Sequence, residues 1–159
     1  MKKSITAYNL IFPMWGIYFW GLVFPFFLPI LLSANFAVDS LMLFLLFALL
    51  KLPEKKRLYA KMIWRTWGLG FLADILASAV LIAAYSLIDF PFSLYAPVGS
   101  VGAFLFITAG VVLAAALIYL FQRKWVLKKI DLEEGQKKKI ALGMAILTAP
   151  YLMYLPPVG

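Results

Sequence analysis

The chain contains no cysteine and no histidine. Those two absences exclude disulfides, thiolate nucleophiles, Cys/His zinc sites, His-ligated haem and every histidine-dependent triad or dyad. Acids are scarce too, with seven Asp and Glu in 159 residues, and only 14% of the chain is charged. Carboxylate, hydroxyl, amide, Lys and Arg are what remain for chemistry, so an enzyme is not expected, and no motif implies a cofactor.

What is abundant is apolar: 65% of the residues are hydrophobic and 17% aromatic. Soluble domains average about 45–50% apolar and about 25% charged. The composition therefore predicts an all-α integral membrane protein, a single membrane domain over 1–159. Lipid satisfies no peptide group, so helices with internally bonded backbones are the expected spanning elements.

The fifteen Lys and Arg fall in three blocks separated by apolar spans. They are Lys2 and Lys3; Lys51, Lys55, Lys56, Arg57, Lys61 and Arg65; and Arg123, Lys124, Lys128, Lys129 and Lys137 to Lys139. If alternate loops face opposite sides, every base lies on one side, as the positive-inside rule demands of the cytoplasm. The net charge of +8 thus reads as topology and contact with anionic lipid headgroups. Nucleic acid is not an expected partner. The location read from this pattern is an inner or plasma membrane, with a cytoplasmic N-terminus and an external C-terminus.

Five spans are expected, at about 5–25, 35–52, 66–88, 101–121 and 140–155, since about twenty residues cover the hydrocarbon core. Cytoplasmic loops fall at 53–65 and 122–139, the second helical on either side of Gly135. Met1-Lys2-Lys3 and the apolar run behind it imitate a signal peptide. The run is too long, aromatic and proline-rich for one, so it is expected to be retained. Pro25 and Pro29 bracket Phe26-Phe27-Leu28 and predict a broken segment over 26–33. The last span is short, and a re-entrant segment is its alternative.

Small residues predict how the helices pack, because close van der Waals contact holds helices together in lipid. Ala73, Ala77 and Ala84 share one face of the third span, and Ala103, Gly110 and Ala114 share one face of the fourth. These faces are expected to meet within one chain; a dimer seam is the alternative.

Two acids lie inside apolar runs. Asp74 falls nine residues past Arg65, about 13 Å along a helix, and Asp39 twelve residues before Lys51, about 18 Å. An Asp at a helix centre costs about 2.5–3.5 kcal/mol on insertion scales, so Asp74 should face the bundle or a wet cavity. Trp67, Gly70, Ser78 and Tyr85 share its helical face. For Asp39 two readings stand: Asn35 caps the second helix and Asp39 sits in its first turn, or Asn35, Asp39 and Ser40 supply oxygen ligands. No base lies as deep. Such acids either keep a proton or bind a cation through clustered oxygens. The other acids, Glu54, Asp89, Asp131, Glu133 and Glu134, lie at interfaces or in loops and are assigned no role.

The expected function is a small multi-pass transport protein or channel for a cation or proton, with Asp74, Asp39, Asn35 and Ser78 binding it; the sequence leaves open whether a metal ion is held. Five short spans enclose little water path, so a homo-oligomer or a partner membrane subunit is implied. The alternative is a non-catalytic membrane subunit: a scaffold, an immunity or assembly factor, or the substrate-binding component of a larger transporter. An intramembrane aspartyl protease does not fit. In Gly68-Leu-Gly-Phe-Leu-Ala-Asp74 the acid does not directly follow the second glycine, and no Tyr-Asp partner occurs.

Overall fold

A computed structural model describes residues 27–92 and 99–154; the expected span at 5–25 lies outside them. The described residues form helices and turns, with no strand among them. Three helices are long and apolar enough to cross a membrane, so the five-span count is not reached among the described residues.

Helix α1 runs Phe27–Leu49. The broken segment expected over 26–33 is therefore helical from Phe27 onward. Pro29 stands in the first turn, where amide groups have no partner inside the helix and a missing N–H costs nothing. This start also places Asn35 and Asp39 well inside the helix, so the capping explanation for them falls.

The end of α1 is built by main-chain bonds. Leu52 donates its N–H to Phe47 O at 3.0 Å and Lys51 donates to Ala48 O at 3.1 Å, with Lys51 left-handed at φ 49°. That is a Schellman closure, and it brings Leu52 against Phe47, both buried in one cluster. Glu54, also left-handed, then starts helix α2, Lys55–Leu87. The expected loop at 53–65 is thus a tight turn followed by helix. At 33 residues, α2 is about 50 Å long at 1.5 Å per residue, well beyond a ~30 Å hydrocarbon core.

Helix α3 is Val101–Phe121, with the expected bounds. Ser100 caps it, its Oγ accepting the Ala103 N–H at 3.1 Å. Beyond Phe121 the chain widens into a π turn, Gln122–Val126, tightens into a 3-10 turn, Leu127–Lys129, and leaves helical geometry at Ile130. Helix α4 is Glu134–Leu147. The break lies upstream of Gly135 because Glu133 and Gln136 form a capping box that sets the helix start there. The expected span at 140–155 is divided: α4 ends near Thr148, and Tyr151–Tyr154 is a short 3-10 turn after Pro150. With 14 residues, α4 covers about 21 Å and does not cross a ~30 Å core.

Helix α2 runs antiparallel to α3, since Tyr85 packs near Phe106 and Thr66 meets Gln122. It runs antiparallel to α1 as well, with Phe36 beside Trp64 and Ser40 beside Tyr59. The bases of the α1–α2 turn and those of 123–139 therefore share one end. The α2–α3 joint is the most extensive, and the small-residue faces do meet there: Ala73, Ala77, Ala103 and Ala114 are fully buried and Leu81 of α2 fills the space over Gly110. Leu46 of α1 fills the space over Gly143 of α4 in the same way. Leu41, Leu45, Val80, Leu105 and Val112 face outward, an apolar exterior suited to lipid.

Candidate functional site

Two carboxyl groups lie in the joint between α1 and α2. Asp39 is 4% exposed and Asp74 7%, and both sit in the interior of their helices. Asp39 meets α2 at Gly70, where a Cβ would stand 3.5 Å from Asp39 Oδ2, an ordinary contact. Gly70 is one turn before Asp74 on the same face of α2. Asp39 and Asp74 therefore open on the same joint, one at Gly70 and the other a turn beyond it.

Around them, hydrogen bonding is incomplete. Asn35 Oδ1, Trp67 Nε1 and Asp74 Oδ1 are buried without a partner. Buried polar atoms in folded proteins are overwhelmingly paired, and each exception calls for an explanation such as a bound water or ion. Asn35 is one turn from Asp39 and Trp67 nearly one turn from Gly70, so the three unpaired atoms belong to the same joint. Ser78 is buried one turn beyond Asp74.

Other residues singled out by helical spacing are engaged elsewhere. Ser40 Oγ shares a 2.9 Å hydrogen bond with the Tyr59 hydroxyl, and the Tyr59 ring stacks on Phe44. Tyr85 donates its hydroxyl to Phe92 O at 3.0 Å, within a cluster with Phe90 and Phe106 at the end away from the bases.

The ion pairs among the described residues lie at the basic end and involve neither buried acid: Arg57 with Glu54, and both Arg123 and Lys137 with Glu134. The hydrogen bond from Lys137, then that from Arg123, hold the Glu134 carboxyl below its ordinary value. No group of three or more His, Cys, Asp or Glu residues suited to a metal occurs among the described residues. The donors at Asp39 and Asp74 are oxygens, the chemistry of a proton, an alkali cation or an ammonium group.

Two features escaped the sequence. Phe36, Trp64 and Trp67 form a ring cluster, with centroids 5.3 Å, 6.0 Å and 6.1 Å apart. Spacing of three along α2 aligns the two tryptophans, but nothing local announces Phe36. Thr66 and Gln122, each 1% exposed, form a buried polar pair at 3.5 Å, at the edge of hydrogen-bond length. Gln122 opens the π turn; in the sequence it reads as the last polar step before Arg123.

No family model, curated protein or solved structure gives a significant match to this chain.

Proposed function

We propose that the chain is a small multi-pass membrane transport protein or channel that takes a cation or proton through Asp39 and Asp74, with Asn35 and Ser78 as further oxygen donors. One observation carries the reading: two carboxyl groups are buried across one helix joint, beside unpaired polar atoms, with no base among the described residues to neutralise them. Ionisable groups inside membrane helices are costly and mark ion or proton pathways. In this reading the basic end faces the cytoplasm of an inner or plasma membrane, 5–25 adds a fourth passage, 140–155 is the re-entrant alternative to a fifth, and a second copy or partner subunit completes the path.

The test is ion flux into proteoliposomes under imposed Na⁺, K⁺, proton and organic-ammonium gradients. Wild-type protein is expected to carry one of these, and Asp74→Asn to slow it at least about tenfold, the equivalent of ~1.4 kcal/mol. A second reading, a non-catalytic membrane subunit, draws support from the α1–α2 turn, where Leu52, Glu54, Lys55, Lys56 and Arg57 line a surface groove suited to an acidic partner. Absence of flux from wild-type protein favours that subunit.

A further inference from the structure

The unpaired atoms between α1 and α2 differ in kind, and the difference narrows what fits there. Asn35 Oδ1 and Asp74 Oδ1 accept hydrogen bonds, whereas Trp67 Nε1 donates one. A metal cation takes oxygen ligands and would be repelled by the indole N–H. A proton alone neutralises one carboxyl and leaves the indole N–H and the Asn35 oxygen as they were. A water answers the three hydrogen-bonding atoms but leaves the two acids without counter-charge; an occupant that does both carries positive charge, N–H donors and an acceptor oxygen of its own.

The surroundings agree. The Trp67 ring lies edge-on to Phe36 and to Trp64, and aromatic faces hold the carbon frame and charge of organic ammonium groups. Gly70 presents only its backbone to Asp39, and a Cβ there would rest 3.5 Å from Asp39 Oδ2 without a clash, which leaves about an atom's space beside that acid.

We infer that this joint is a binding site for a small organic ammonium ion bearing a neighbouring oxygen, of the amino-alcohol class. Asp74 and Asp39 supply the counter-charge, Asn35 Oδ1 and Asp74 Oδ1 accept from the ammonium, and Trp67 Nε1 donates to the ligand oxygen. This rests on the transport reading above and names the cation's chemical class.

The probe is radiolabelled ethanolamine, bound at equilibrium to full-length protein in lipid nanodiscs. Saturable binding is expected, about tenfold weaker in Asp74→Asn, since a charged hydrogen-bond partner is lost. Trp67→Phe keeps a ring and removes only the N–H. It is expected to weaken ethanolamine about threefold or more while leaving methylammonium, which has no acceptor oxygen, unchanged. Equal losses for the two amines in Trp67→Phe would overturn the assignment of the indole. No saturable ethanolamine binding to a protein that still carries Na⁺, K⁺ or protons would overturn the ammonium site and leave transport standing. Neither binding nor flux from wild-type protein would overturn both.

Discussion

Helix α2 makes two joints of different kinds from neighbouring residues. Ala73 and Ala77 are fully buried, and Leu81, one turn beyond Ala77, is seated over Gly110 of α3. Asp74 and Ser78, each the next residue along, turn about 100° away, and Asp74 lies on the face of Gly70, which meets Asp39 of α1. The first joint is apolar and interlocked, and nothing in it needs a partner beyond contact. The second holds acids and leaves polar atoms unpaired, and each buried unpaired group costs about 1–3 kcal/mol. A helix pair selected for adhesion alone would not keep that cost. In the proposed reading the α2–α3 joint holds the helices and the α1–α2 joint takes the cation.

The harshest way to break the contrast is to fill the adhesive joint. Gly110→Leu drives a side chain into Leu81, and overpacking of this kind costs about 1–3 kcal/mol or more. A lowered melting midpoint in detergent is expected, with cation handling unchanged in the fraction that stays folded. Next is Asp74→Leu, which should act in the opposite sense. It replaces a buried carboxyl that has an unpaired oxygen, so the fold is expected to gain about 1–2 kcal/mol while flux is lost. A destabilised Asp74→Leu protein would mean that the acid holds the helices together, and the contrast would collapse.

A smaller effect is expected from Tyr59→Phe, which removes the hydroxyl bonded to Ser40 and leaves the ring on Phe44. The loss should be about 1 kcal/mol, with flux retained, because this pair stands outside the acid site. The smallest lies at the basic end. The Glu134 carboxyl is held below its ordinary value by Lys137 and Arg123, so its contribution is present above the unfolded-state value and fades as pH falls through the folded one. A slight difference in melting midpoint between wild type and Glu134→Gln at neutral pH should shrink steadily as the medium is acidified below the ordinary carboxylate range. The exposed, solvent-screened position of Glu134 keeps this effect small.

Much of the scaffold was legible in the residues. The bounds of α3 follow from Ser100 before an uncharged run, and the meeting of Ala77 with the Gly110 face follows from spacing alone. The rest was lost for identifiable reasons. Pro29 reads as a breaker until its place in the first turn is known, because the same ring breaks a helix interior and suits a helix start. Gly135 drew attention as a hinge, but the bond pair between Glu133 and Gln136 set the α4 start upstream of it. Asp74 stood out as costly from its position. The meeting of Asp39 with Gly70, and the arrival of Phe36 at Trp67, require two helices at once and leave no trace in either.

The residue order by itself determined the class of protein, the end where the bases gather and the acids that would be expensive to bury. These follow from hydropathy, spacing and charge, which are properties of one segment at a time. Only the tertiary structure decided that α1 begins at Phe27, that 140–155 is broken, and which atoms are left unpaired between α1 and α2. The reason is geometric: pairing depends on the register and crossing of two helices, and no single helix encodes its partner's register.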